Sequence, residues 1–161
     1  MKKLLERIKA AWKTFKNPEL LEQIDELTGL YLRKSFIEKA KILMAKAKRE
    51  KQPVSLIFID VNNLKNLNDT QGHKAGDGLL KSLAEILKKH LRPYDLLCRW
   101  GGDEFVILLS NTNYYQAEKI AQRIFFVFPK FSFGISSWDG EESIENLVEK
   151  ADKRMYRMKT K

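Results

Sequence analysis

A chain of 161 residues, 43% hydrophobic and 32% charged, is one globular domain's worth and long enough to bury a core. No apolar run approaches the roughly 20 residues that span a bilayer. The lysine-rich N-terminus lacks the apolar stretch and small-residue cleavage site of a signal peptide. Cys98 is the only cysteine, which excludes an intramolecular disulfide and a cysteine metal cluster. Between Leu97 and Arg99 it reads as a buried thiol, and the chain reads as cytoplasmic. The net charge of +9 asks for an anionic partner: nucleotide, nucleic acid or an acidic surface. Its two richest stretches, 1–16 and 46–51, also fit solvated helix faces.

In chain order, residues 2–16 set Leu4, Leu5, Ile8, Ala11, Trp12 and Phe15 at helical spacing opposite lysines, and Asn17-Pro18 breaks the pattern. A second helical piece is predicted from about Glu19 to Glu26, closed by Thr28-Gly29. Residues 1–24 thus form an amphipathic extension suited to docking on the domain or on a second copy, or to contact with a membrane surface. Residues 25–161 form the main domain. There Phe36, Ala40, Leu43, Met44 and Ala47 mark a helix that stops before Pro53. Val54 to Val61 is a nearly unbroken apolar run, the pattern of a central strand covered on both faces.

A polar stretch from Asn62 to Asp77 follows, then a helix on Leu79, Leu80, Leu83, Ile86 and Leu87. Strands at about Asp95–Trp100 and Glu104–Leu109 flank Gly101-Gly102, a hairpin signal. A helix on Ala117, Ile120, Ala121, Ile124 and Phe125, a short strand from Phe131 to Ser136 and a helix on Ile144, Leu147, Val148, Ala151 and Met155 complete the chain. Helices interleaved with strands around a central hairpin predict an α+β fold of ferredoxin or polymerase-palm type: a mainly antiparallel sheet flanked by helices, preceded by the helical extension.

Two places carry chemistry. Asp60 ends the apolar run, where a lone carboxylate is costly unless its charge is compensated. The Gly101-Gly102 turn lets backbone approach a bulky anion, and Asp103 and Glu104 follow it directly. If the hairpin lies beside the central strand, Asp60 meets the turn. Because strand side chains alternate faces, only one of Asp103 and Glu104 is predicted to join Asp60. Such a pair would hold Mg²⁺, a hard cation that accompanies phosphates, and suits phosphoryl or nucleotidyl transfer. The simpler readings are a strand-end cap for Asp60 and a surface hairpin with solvated acids.

Six segments then occur in order: Leu27-Thr-Gly-Leu30, Asp60-Val-Asn-Asn-Leu-Lys-Asn-Leu-Asn-Asp69, Gly72-His-Lys-Ala-Gly-Asp77, Arg92-Pro-Tyr-Asp95, Arg99-Trp-Gly-Gly-Asp-Glu-Phe105 and Ala151-Asp152 with Tyr156 and Lys159. Together they resemble the GGDEF domain of diguanylate cyclases over roughly residues 25–159. The resemblance implies condensation of two GTP into cyclic di-GMP with release of two pyrophosphates, one GTP on each subunit of a dimer, dependent on Mg²⁺ or Mn²⁺. It implies metal ligation by Asp60, Asp103 and the Val61 carbonyl. Asp103 would also serve or position the base for the ribose 3′-hydroxyl, within the reach that general-base action requires.

Lys65 and Lys159 match lysines that stabilise triphosphate charge, Gly101 and Gly102 the substrate turn, and Asn68 and Asp77 the guanine readers. A carboxylate at Asp77 can accept from guanine N1–H and the 2-amino group together, a donor pair that adenine lacks. His73 falls at a substrate-site histidine of the family, or is a structural contact at a helix start. Arg92 and Asp95 lie at the spacing of the family's product-inhibition site, with Arg123 a second arginine there. Otherwise Arg92 and Asp95 are a surface ion pair and Arg123 is a solvated helix residue.

The chain departs from the family at Asn62 and Leu64, usually Asp and Phe. It is also short between Arg123 and Phe131, and it stops at Lys161 before a common Gly-Arg. With no sensory domain within the first 24 residues, the alternative function is a weak or inactive module that binds GTP or cyclic di-GMP. Nucleic-acid binding is disfavoured, because the strands lack the aromatic pattern that stacks bases.

Overall fold

The computed structural model describes residues 23–160; the predicted helix over 2–16 lies outside them. The elements are β1 (Tyr31–Leu32), α1 (Arg33–Glu50), β2 (Val54–Val61), α2 (Leu64–Gln71), α3 (His73–His90), β3 (Leu96–Arg99), β4 (Glu104–Ser110), α4 (Tyr114–Val127), β5 (Phe131–Ser137) and α5 (Ile144–Lys159). The sheet runs β1-β3-β4-β2-β5, antiparallel throughout except where β1 lies parallel to β3. All eight residues of β2 are buried, as its continuous apolar pattern demands, because helices cover both faces.

Alternation along the strands divides the core in two. Ile57, Ile59, Val61, Phe105 and Ile107 face Leu80, Leu83 and Leu87 of α3 and Ala117, Ala121 and Ile124 of α4. Leu56, Phe58, Val106 and Leu108 face Phe36, Ala40 and Met44 of α1 and Leu147, Ala151 and Met155 of α5. Cys98 is fully buried on this second side, and burial pushes its thiol well above the usual range. Gly134 on β5 is where α5 comes closest. A Cβ there would overlap the backbone of Ala151 and Met155, so the helix rests directly on the strand.

The structure corrects two expectations. The polar stretch 62–77 contains α2 and the start of α3, separated only by Gly72 at φ +84°. Residues 23–26 are not helical; Ile24 bridges to Tyr31 instead, and residues 19–22 lie outside those described. The hairpin loop comprises three residues, Gly101–Asp103, closed by the Trp100 N–H donating to the Glu104 carbonyl at 2.8 Å. Neither of its glycines has a positive φ.

Candidate active site

The antiparallel register of β2 and β4 sets Asp60 directly opposite Glu104. Both lie on the α1–α5 side of the sheet, in phase with Phe58 and Val106. Alternation thus gives Glu104, rather than Asp103, the face that Asp60 occupies. Asp103 sits at the end of the loop beside them, where its carbonyl accepts from the Val61 N–H at 2.9 Å. Asp60 is 9% exposed, and its charge is compensated by the Lys159 ammonium, which donates to Oδ1 at 2.6 Å. The last turn of α5 carries this lysine, and the same turn is held to β5 by the Phe133 N–H donating to Met158 Sδ at 3.4 Å.

Partial burial, then the nearby charges of Asp103, Asp60 and Asp152, hold the Glu104 carboxyl above its usual range, and Arg33 opposes them. Its Oε2 fills the space a side chain at Gly101 would need, whereas a Cβ at Gly102 would meet nothing within 4 Å. Gly101 therefore admits the glutamate, and Gly102 leaves the open side of the turn clear. Hard carboxylate oxygens that repel one another beside a lysine are the donor chemistry that Mg²⁺ with a triphosphate suits.

A second group lies on the α2–α3 hairpin beyond the end of β2. Lys65 and Asn68 stand one turn apart on α2; His73 opens α3 and is exposed, as is Asp77. Among the described residues Asn68 Oδ1 has no hydrogen-bond partner; it is buried against Gly76, where any side chain would overlap it. A buried acceptor left unpaired costs about 1–3 kcal/mol.

The Arg92–Asp95 turn is not a surface ion pair. The Asp95 carboxylate accepts backbone N–H bonds from Arg92 at 2.9 Å and Ser110 at 3.3 Å. Burial raises its pKa, and those two bonds partly offset the rise. The Arg92 guanidinium lies 5.9 Å from the Tyr94 ring centroid. Nor is Arg123 merely solvated: its Nη2 donates to the His90 carbonyl at 3.0 Å, bringing it to the end of α3, two residues before Arg92.

The sequence leaves open whether Glu104 or Asp103 joins Asp60, and it does not show the Arg99–Asp25 ion pair, 3.1 Å long and with both side chains mostly buried. Alternation of faces narrows the first to one of two acids, and the β2–β4 register decides between them. Nothing local signals the second.

Acids at adjoining strand ends, a glycine turn and a facing lysine thus meet at one end of a palm-like sheet. The family profile described as diguanylate cyclase, GGDEF domain, matches residues 22–161, and the chain belongs to that family. It is 37% identical to diguanylate cyclase DgcS of Shewanella oneidensis over 145 residues, 84% of this chain and 49% of that protein. The active GGEEF domain of a Vibrio cholerae diguanylate cyclase is 31% identical with a TM-score of 0.76, covering 80% of this chain and 90% of that one. A microbial GGDEF domain described in its interaction with cyclic di-GMP is 30% identical, TM-score 0.79, covering 86% and 94% respectively. The chain spans half or less of the length of the curated relatives it matches. Among the described residues, no helix is long and apolar enough to cross a membrane.

Proposed function

We propose that the chain condenses two GTP into cyclic di-GMP, releasing two pyrophosphates, with one GTP on each copy in a dimer. The observation that carries this reading is the Asp60–Glu104 pair beside the three-residue turn, faced by Lys159 at 2.6 Å. Asp60 and Asp103, with the Val61 carbonyl, would hold Mg²⁺ or Mn²⁺, which supplies charge neutralisation on the triphosphate and polarises its α-phosphorus for attack.

The protein's own work is positioning. Lys159 exchanges its Asp60 partner for phosphate oxygen, and Lys65 adds a second cation. Asn68 and Asp77 receive the guanine edge. Gly102 keeps the loop open to the phosphates. Asp103 takes the proton of the 3′-hydroxyl or holds the group that does. Attack of that oxygen on the α-phosphorus of the GTP carried by the other copy forms the phosphodiester and expels pyrophosphate; the reciprocal attack closes the ring. The Arg92–Asp95 turn with Arg123 suits a product site, since an arginine fork grips phosphate or guanine oxygens.

Incubation of the purified chain with GTP and Mg²⁺ tests the reading by chromatography and mass of the product. Cyclic di-GMP and pyrophosphate should accumulate. GTP binding with no turnover at any protein concentration would leave a binding module in place of the enzyme.

A further inference from the structure

The guanidinium of Arg99 joins two segments that are far apart in the chain. Its Nη1 donates to Asp25 Oδ1 and Oδ2 at 3.1 and 3.3 Å. Its Nε and Nη2 both donate to the Gly102 carbonyl, at 3.2 and 2.7 Å. Asp25 is itself held in place. Its Oδ2 accepts from the Thr28 N–H at 2.9 Å and the Thr28 hydroxyl at 2.6 Å. The backbone of this entry turn closes through Asp25 N–H to the Leu30 carbonyl and Gly29 N–H to the Asp25 carbonyl. Lys88 ties the turn to α3 by donating to the Thr28 carbonyl.

The peptide bond is planar and trans, so its carbonyl and N–H point in opposite directions. With the Gly102 carbonyl drawn to Arg99, the Asp103 N–H must face away from the clamp. The far side of Asp103 is pinned as well, by its carbonyl accepting from Val61. Both peptides that flank Asp103 are therefore fixed in a loop that has two glycines and, among the described residues, no other side-chain hydrogen bond. Charge-assisted bonds from a forked guanidinium are suited to such fixing.

Resting on the cyclase reading above, we infer that Asp25 and Arg99 are positioning residues for the reaction. They form a clamp through which the entry segment sets the orientation of the Gly102–Asp103 peptide, and so of the Asp103 carboxylate. Neither residue touches the reacting atoms. Asp25 acts on Arg99, Arg99 on the Gly102 carbonyl, and the loop on Asp103. A loop misplaced by an ångström is enough to cost a large part of the rate while leaving substrate affinity almost intact.

The test compares Asp25→Asn with Thr28→Val in the full chain. The second loosens the same entry turn but keeps the Asp25–Arg99 bonds. Site-resolved amide exchange by NMR should show Trp100 and Gly101, which bond to Glu104, exchanging about tenfold faster in Asp25→Asn, and within about twofold of wild type in Thr28→Val. GTP turnover should show kcat reduced about tenfold in Asp25→Asn, with KM within about twofold. Unchanged exchange in Asp25→Asn, or equal effects of the two variants on exchange and kcat, overturns the inference. If the wild type makes no cyclic di-GMP, the cyclase reading fails while the exchange comparison still decides the clamp.

Discussion

The Arg99–Asp103 loop and the Arg92–Asp95 turn each set an arginine a few residues before an aspartate, and each uses the pair differently. In the first, the guanidinium is fully committed to protein: Asp25 on one side and the Gly102 carbonyl on the other. The aspartate is left at the open end of the loop. In the second, the aspartate is committed, accepting backbone N–H bonds from Arg92 and Ser110, and the guanidinium is left beside Tyr94. A charged side chain held by the protein builds the site, whereas its counterpart left outward is available to a ligand. The catalytic loop presents an acid, as metal and proton chemistry require. The other turn presents a cation, as recognition of an anionic nucleotide requires.

The largest effect is expected at the presented acid. Asp103→Ala should lower GTP turnover by about 10³-fold or more while the thermal midpoint hardly moves; a retained rate measured by product chromatography would transfer its role to Glu104. Next comes the support beneath Lys159. Gly134→Ala forces a methyl into the Ala151–Met155 backbone and should destabilise the fold by about 3 kcal/mol, read by chemical denaturation. At the other turn, Arg92→Ala should raise the cyclic di-GMP concentration for half-inhibition by about tenfold to a hundredfold. Its stability, by the same denaturation, should stay within about 0.5 kcal/mol of wild type.

The smallest effect is one of pH. Burial by itself raises the Asp25 carboxyl, but the Thr28 bonds and the Arg99 charge outweigh it and hold the pKa below the usual value. An acid whose folded pKa is lowered contributes stability at neutral pH, and that contribution is lost as pH falls through the carboxylate range. Asp25→Asn should therefore be about 1–2 kcal/mol less stable than wild type at pH 7, with the gap closing toward pH 3. Denaturation curves at the two pH values check it.

Much of this was legible in the sequence, for reasons tied to particular residues. Val54–Val61 reads as a central strand because both faces are covered, and Asp60 stands out because it interrupts apolar burial. The hairpin follows from its glycines. Other features leave no local trace. α2 has no fully buried residue, so Asn62–Asp77 shows no apolar face and reads as loop. β1 is two residues long, and its pairing with β3 comes from tertiary contact. Which acid faces Asp60 depends on the register of β4 against β2, two strands that no short turn connects, so tertiary packing sets it. Asp25 and Arg99 are 74 positions apart, a pairing that only the folded chain reveals.

In the proposed reaction each copy of this chain carries half of a reaction centre whose acid is presented by the glycine loop. This is tested most directly by the initial rate of cyclic di-GMP formation at saturating GTP and Mg²⁺, measured against protein concentration. The rate should rise with the square of concentration while monomer predominates and become linear as dimer forms. A rate linear from the lowest concentration, under conditions where the chain sediments as a monomer, would contradict it.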